Sequence, residues 1–206
     1  MKVHVVDHPL VAHKLTMMRD ENCNSKNFRE LLDEIASLMT YEVTKDWKTT
    51  PIRVKTPLEE TDGVKLTDEV TIIPILRAGL GLMNGVLRMI PHAHVGHIGM
   101  HRNPVTHEPE EYYCGLPKQM DAKCIVVDPM LATGGSAAAA ISLLKEKGLK
   151  DICLMVLVAA PEGVEALNRE HPDVEIYTAS VDRQLDDRAY ILPGLGDAGD
   201  RVFGTL

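Results

Sequence analysis

The chain has 206 residues, of which 45% are hydrophobic and 25% charged, and its formal net charge at pH 7 is −8. This length suits one domain, and the apolar content is sufficient for a substantial core, which excludes wholesale disorder. The acidic balance argues weakly against a surface that binds nucleic acid or an anionic membrane, although a few arginines in a cleft could still bind an anion locally.

The predicted elements begin with a helix and continue with strands and helices in alternation. Apolar residues from Phe28 to Met39 recur at the spacing of one helix face, and Ser25 or Asn27 is the expected N-cap. A short strand, PIRVKTP, follows. The apolar run VTIIPIL then predicts a buried strand, and AGLGLMNGVLRMI predicts the helix after it.

The alternation continues through the second half of the chain. HVGHIGM predicts a strand, and EPEEYYCGLP predicts an arm or hairpin because its paired tyrosines suit strands. Strands are expected at 124–127, at 152–160 and in VEIYTASVD, separated by helices that end near Lys147 and begin after Pro161. This order predicts a parallel α/β sheet with helices on both faces and ligands at the carboxyl ends of its strands.

Targeting signals are not evident, and we expect a cytoplasmic protein. The start, MKVHVVDHPL, lacks the apolar core of a signal peptide. The longest apolar run, ICLMVLVAA, is far shorter than the roughly 20 residues of a membrane helix. The four cysteines are scattered without a CxxC pair, as is typical of reduced thiols.

The stretch IVVDPMLATGGSAAAAI passes from a strand through a glycine-rich loop to a helix. Backbone N–H groups at Gly134 and Gly135, the hydroxyls of Thr133 and Ser136 and the helix N-terminus together predict a phosphate site. Asp128, at the expected end of the strand, could accept hydrogen bonds from a ribose diol. On these residues alone, a simple turn whose serine caps the helix is about equally well supported.

Two other stretches carry candidate binding residues. In PILRAGLGL, Arg77 lies between a buried strand and a helix, where it could bind phosphate oxygens, close a helix end or form a salt bridge. The tail YILPGLGDAGDRVFGTL has three glycines within six residues, which predicts irregular backbone whose polar groups could match the edge of a planar base. An isolated GLGDAG is also typical of a surface turn.

Two patterns are weaker candidates. The histidines at 92, 94, 97 and 101 (His92, His94, His97 and His101) are spaced like metal ligands. On a strand, however, His92 and His94 face one side and His97 the other, and no nearby cysteine or zinc motif completes a site. Asp186 and Asp187 are adjacent carboxylates, and a solvated loop is favoured over a catalytic pair.

The strand with VVDPMLATGGS, the PILRAGLGL loop and the tail together resemble the type I phosphoribosyltransferases, and most closely the uracil phosphoribosyltransferases. The resemblance runs from about residue 3 to the C-terminus. It implies a single domain over 1–206 with a parallel sheet flanked by helices, a β-arm at about 101–120 and a base-binding hood loop at about 182–206.

The resemblance also implies the reaction. The 5-phosphoribosyl group of 5-phosphoribosyl pyrophosphate (PRPP) passes to N1 of uracil, giving UMP and pyrophosphate, and Mg²⁺ arrives bound to PRPP. The expected catalytic residues are Arg77, Arg102, Asp128 and Asp197. The expected PRPP-binding residues are these four together with Pro129, Met130, Leu131, Ala132, Thr133, Gly134, Gly135 and Ser136. The expected uracil-binding residues are Ile191, Gly196, Asp197 and Ala198.

Some residues depart from the family pattern. His101 and Asn103 stand where tyrosine and aspartate are more usual, and DRQLDDRAY replaces the more usual Asn-Glu-His/Asn-Gly before the tyrosine. We expect the second change to alter the dynamics of the hood loop rather than the substrate. The family also forms homodimers and larger assemblies, and some members are activated by GTP, for which no motif is recognisable here.

The alternative function is that of a regulatory protein on the same fold that binds nucleotide and RNA without catalysis. Such a protein should present a basic face. The net charge of −8 and the intact tail loop argue against it.

Overall fold

The computed structural model describes residues 2–102 and 109–205. The first part contains β1 (Val3–Val5), α1 (Pro9–Arg19), α2 (Ser25–Val43), β2 (Thr49–Lys55), β3 (Glu60–Leu66), β4 (Val70–Leu76), α3 (Leu80–Met89), β5 (His94–Val95) and β6 (His97–Arg102). The second part contains β7 (Pro109–Gly115), β8 (Lys123–Leu131), α4 (Gly135–Glu146), β9 (Asp151–Ala159), α5 (Pro161–Glu170), β10 (Glu175–Val181), β11 (Gln184–Leu185), β12 (Ile191–Leu192) and α6 (Ala198–Phe203).

One eight-stranded sheet organises the molecule. Its strands follow the order β1-β10-β9-β8-β4-β6-β7, and β5 also pairs with β4. The described pairings are parallel except that of β6 with β7, which is antiparallel. The predicted α/β class with a mostly parallel sheet is therefore confirmed. Two small antiparallel sheets, β2–β3 and β11–β12, lie apart from it.

The core has two layers because successive residues of a strand face opposite sides. In β4, Ile72 belongs to the layer packed by α1, α2, α3 and α6, whereas Ile73 belongs to the layer packed by α4 and α5. Ile125 and Val126 divide in the same way in β8. Each such side chain, when fully buried, contributes about 1.5–3 kcal/mol. Strands buried on both faces explain the unbroken apolar runs in the sequence.

Several local predictions need correction. The N-cap of α2 is Asn24, whose side chain accepts a hydrogen bond from the N–H of Asn27, rather than Ser25 or Asn27. Strand β8 continues to Leu131, four residues beyond its expected end, because β9 pairs alongside it as far as Ala159.

Helix α1 and strand β3 were not predicted from the sequence. α1 buries only three residues, Val11, Leu15 and Met18, which is a weak apolar pattern. Strand β3 is polar and largely exposed, and it is specified by its pairing with β2. No helix in the described ranges has the length and apolar character needed to cross a membrane.

Candidate active site

The glycine-rich loop joins β8 to α4 at the carboxyl edge of the sheet. Gly134 is the N-cap of α4 in a left-handed conformation with φ of 86°, and no side chain caps the helix. The alternative of a turn in which Ser136 caps the helix is therefore wrong. The hydroxyls of Thr133 and Ser136 form no hydrogen bond with another described residue, so both are available to a ligand.

The same loop rests directly on the first turn of α5. The N–H of Ala160 donates to the carbonyl oxygen of Leu131 at 2.9 Å. A Cβ atom at Gly163 would lie only 2.3 Å from the carbonyl oxygen of Ala132. Glycine at 163 thus allows the two backbones to meet, and sequence reasoning missed this residue. In the sequence, the only indication of this contact is that a glycine stands two positions after Pro161.

Asp128 lies within β8 rather than at its end, which corrects the predicted position. The side chain is half-buried, and one carboxylate oxygen accepts a long hydrogen bond of 3.5 Å from the N–H of Met130. Burial raises the pKa of the carboxyl to about 7, against the smaller lowering effect of that hydrogen bond. Near neutral pH the charged form of this carboxyl is therefore stabilised by only one long hydrogen bond when no ligand is bound.

A cleft of about 380 Å³ separates the glycine-rich loop from the hood. Seven of the predicted site residues line it: Met130, Ala132, Thr133, Gly135, Ser136, Ile191 and Asp197. Its other wall comes from three residues of the predicted hood that were not named individually as site residues: Arg188, Ala189 and Tyr190. The structure thus brings the first and third sequence motifs together across one opening.

The hood turn is organised by Asp186. One of its carboxylate oxygens accepts hydrogen bonds from the N–H groups of Arg188 and Tyr190, both at 2.8 Å. Ala189 has a left-handed conformation with φ of 65°, where glycine is more usual. The N–H of Leu185 donates to a carboxylate oxygen of Glu162 at 3.0 Å, which ties the hood to α5. These bonds give Asp186 a structural role in the turn.

The tail supplies the remaining predicted base-binding residues. Asp197 is exposed and is the N-cap of α6, accepting a hydrogen bond from the N–H of Asp200 at 2.9 Å. Ile191 and Ala198 are buried in the core layer next to α2, and Gly196 is exposed with φ of 77°. The tail is therefore a short loop followed by a six-residue helix, not irregular backbone throughout.

Arg77 belongs to a second loop, after β4, and does not line the cleft. Its side chain is exposed and forms no ion pair with a described residue, and its guanidinium lies 5.7 Å from the centroid of the Phe203 ring. Helix α6 packs beside this loop, since a Cβ atom at Gly199 would be 3.9 Å from that of Ala78. The tail thus connects the cleft with the arginine loop.

The remaining predicted contacts are not all described. Arg102 is the last residue of β6, and its side chain and Asn103 lie outside the described residues. Leu131 is buried and Pro129 lies inside β8, so neither side chain lines the cleft. Among residues 2–102 and 109–205, no group of three or more His, Cys, Asp or Glu side chains could hold a metal ion.

Comparison with known proteins adds to this geometry. The family model described as uracil phosphoribosyltransferase matches residues 5–205. A uracil phosphoribosyltransferase of Dictyoglomus thermophilum is 58% identical over 205 residues, covering 98% of this chain and 99% of the relative.

Solved structures give the same fold. The AQ2163 protein from Aquifex aeolicus is 36% identical with a TM-score of 0.91, covering 98% of this chain and 97% of that one. A hypoxanthine phosphoribosyltransferase from Staphylococcus aureus has a TM-score of 0.52 at 14% identity, covering 81% and 84% of the two chains, and supports the fold alone.

Proposed function

Because this chain belongs to the uracil phosphoribosyltransferase family, we propose that its cleft is where the 5-phosphoribosyl group of PRPP passes to N1 of uracil, giving UMP and pyrophosphate. One observation carries this assignment to the cleft. The unpartnered hydroxyls of the glycine-rich loop face the tail residues Ile191 and Asp197 across one opening of about 380 Å³. A phosphate site and a base site that line the same cleft suit a nucleotide.

The 5-phosphate of PRPP binds at the start of α4. The hydroxyls of Thr133 and Ser136 and the free N–H groups of the first helical turn donate to its oxygens, and the helix dipole favours its negative charge. The left-handed Gly134 turns the backbone into this arrangement. Met130 and Ala132 form the adjoining wall of the cleft.

Asp128 binds the ribose hydroxyls. Two hydroxyl donors would compensate a carboxylate that has one long hydrogen bond in the free protein. As the bond from C1 to the pyrophosphate oxygen breaks, the ribose gains oxocarbenium character, which a nearby carboxylate stabilises. N1 of uracil then forms the new bond to C1, and its proton passes to water. No covalent nucleophile is required, because positioning of the two substrates supplies much of the rate.

Pyrophosphate leaves as a polyanion that must be stabilised. Arg77, which has no carboxylate partner among the described residues, and Arg102 bind it. Mg²⁺ bound with PRPP would supply positive charge that neutralises the leaving group, and Asp197 would be the residue that holds it. Mg²⁺ takes oxygen ligands and keeps several waters, which fits a site whose exposed Asp197 offers a carboxylate oxygen not used in capping α6.

Uracil binds against the tail. Its acceptor–donor–acceptor edge pairs with backbone groups of Ile191, Gly196 and Ala198, and Asp197 orients the base or the hydrated metal. The hood residue Tyr190 lies on the same side of the cleft.

The direct test is a transfer assay. Purified protein with PRPP and Mg²⁺ should convert uracil to UMP and release pyrophosphate, and it should act poorly on hypoxanthine and cytosine offered in parallel. PRPP binding without either product would favour the regulatory alternative.

Assembly, activation and location remain predictions. Light scattering after size-exclusion chromatography measures the molar mass and so tests whether the chain forms a homodimer or a larger homo-oligomer. Activation by GTP is measured as UMP formation with and without the nucleotide, and a cytoplasmic location by fractionation. The single domain with its arm at 101–120 and hood at 182–206 is tested by limited proteolysis.

A further inference from the structure

We propose that Arg19 and Asp182 form a positioning pair that fixes where the base-binding loop lies relative to bound uracil, without touching the substrate. The inference rests on the proposed function and deepens it. Asp182 opens the hood stretch DRQLDDRAY but has no site role assigned from the sequence, Arg19 lies outside the quoted motifs, and neither residue lines the cleft. Arg19 ends α1, whereas Asp182 follows β10, so the pair joins two distant segments to the tail.

The geometry of the pair is bidentate. The two terminal guanidinium nitrogens of Arg19 donate to the two carboxylate oxygens of Asp182, at 2.7 and 2.6 Å. The side chain of Asp182 is only 2% exposed and that of Arg19 23% exposed. Although burial alone raises the pKa of Asp182, its bonds to Arg19, Ser180 and Gly194 outweigh that effect and lower the pKa. The carboxylate is thus charged and fully paired.

Both partners also bind the backbone of Gly194, in the middle of the tail loop. The N–H of Gly194 donates to Asp182 at 2.9 Å, and its carbonyl oxygen accepts from Arg19 at 2.6 Å. Gly194 has φ of 59°, and a Cβ atom there would lie 2.1 Å from the carbonyl oxygen of Ile191. The loop is therefore held at its tightest point by two charged groups.

The location of Gly194 gives these bonds their functional meaning. It lies between Ile191 and Gly196, whose backbone groups we assign to uracil. Because both polar groups of Gly194 are already used, the base must pair with its neighbours, whose positions depend on where the ion pair holds the loop. A displacement of about 1 Å is enough to weaken such hydrogen bonds and to lower the rate substantially.

A second contact of the tail makes a useful contrast. Arg201 donates to the carbonyl oxygens of Leu195 and Asp20, at 2.8 and 2.7 Å, and stacks on Phe28. It holds the far side of the same loop through neutral acceptors, without a buried countercharge. Loss of the Arg19–Asp182 pair would therefore shift the loop while Arg201 keeps it attached, which predicts a misplaced loop rather than a lost one.

The test compares Asp182→Asn and Arg19→Lys with the wild type in steady-state kinetics, with uracil varied at saturating PRPP and PRPP varied at saturating uracil. Asparagine keeps the size of Asp182 but removes its charge and one acceptor oxygen, and lysine keeps the charge of Arg19 but cannot form the two-pronged contact. We expect the KM for uracil to rise about 10- to 100-fold. The KM for PRPP should rise much less, since the loop that binds its 5-phosphate is not touched and Asp197 is the one tail residue assigned to PRPP.

The matched control is Asp173→Asn, which breaks an exposed ion pair with Lys145 of 2.7 Å on the opposite face of the sheet. It should change neither KM. If Asp182→Asn fails to fold, Ser180→Ala removes only the 2.7 Å hydrogen bond to Asp182 and should give a smaller rise for uracil alone. Equal rises in both KM values, or a lower melting temperature with unchanged KM values, would overturn the inference. A wild type that forms no UMP would instead overturn the proposed function.

Discussion

Asp128 shows how a residue that we propose to bind ribose can destabilise the free protein. Its carboxyl is half-buried in β8, and burial raises its pKa from the ordinary value of 3.8 to about 7. Between these two values the folded protein holds a proton that the unfolded chain has already released. Native stability attributable to this group therefore falls as the pH rises from about 4 to 7. The ribose hydroxyls of PRPP would reverse this cost on binding.

Asp128→Asn should accordingly stabilise the protein while damaging its activity. At pH 8 we expect the free energy of unfolding to increase by about 1–2 kcal/mol, since water still reaches part of the side chain. The gain should be smaller at pH 5 and absent below about pH 4. Urea denaturation at several pH values measures it. The catalytic efficiency with PRPP should fall about 10- to 100-fold. A gain independent of pH would show that the carboxyl is not the cause.

Arg188 is the cation that the sequence motifs overlooked. It lines the cleft opposite the glycine-rich loop, and its guanidinium has no ion pair with a described residue. We expect Arg188→Gln to raise the KM for PRPP and the Kd for UMP about 3- to 10-fold, because a partly exposed charge near a phosphate is worth roughly 1 kcal/mol.

The control is Arg183→Gln, which removes a hood arginine that is exposed but does not line the cleft. It should leave both constants unchanged, and Arg188→Lys should be intermediate. Calorimetric titration with UMP at low and high salt measures the effect. An Arg188→Gln protein with wild-type UMP affinity at low salt would remove this residue from the site.

Asp197 has two roles that substitutions can separate. It caps α6 and also faces the cleft. Asp197→Ala should lose the cap, at about 1 kcal/mol of stability, and most of the turnover. Asp197→Asn should keep the cap, because asparagine is an equally good N-cap, yet still lose turnover because the carboxylate is gone. Thermal unfolding and the uracil assay together make the comparison, and near-normal turnover of the asparagine variant would exclude a role for the charge.

At the scale of elements, the glycine-rich loop depends on α5 for its position. Gly163→Ala would place a methyl group 2.3 Å from the carbonyl oxygen of Ala132. We expect a loss of about 1–3 kcal/mol in stability and a higher KM for PRPP with an unchanged KM for uracil. Gly63→Ala is the control, because its nearest neighbour would be 3.8 Å away. Denaturant unfolding and kinetics in both variants test this, and equal effects would show that the loop can shift freely.

Local sequence predicted some elements better than others, for physical reasons. β4 was predicted with its observed bounds, Val70–Leu76, because a strand buried on both faces has an unbroken apolar run. The predicted end of β8 is four residues too early because Asp128 and Pro129 interrupt the apolar run. In the structure, pairing with β9 continues the strand past them. The predicted N-cap of α2 is wrong because Asn24, Ser25 and Asn27 are all residue types that cap helices well.

At the scale of the whole molecule, the residues that line the cleft were predictable where one short segment carries them. VVDPMLATGGS and PGLGDAGD contain enough chemistry in sequence to indicate phosphate and base sites. Contacts between distant segments were not predictable, because nothing near Arg19 in the sequence indicates Asp182 or Gly194, and nothing near Gly163 indicates Ala132. Such pairs become visible only when the sheet order brings their segments together.

The fastening of the tail to α1 and α2 has a consequence for the order in which the protein acquires its activity during translation. All the strands of the main sheet precede residue 182, so the ribosome makes the tail loop after them. Arg19 and Arg29, made before all but the first strand of that sheet, must wait for Gly194 and Val202 to emerge before their bonds can form. Until those two residues emerge, the proposed base-binding loop lacks its attachments to α1 and α2, although the segments of the sheet and of the glycine-rich loop have already been made.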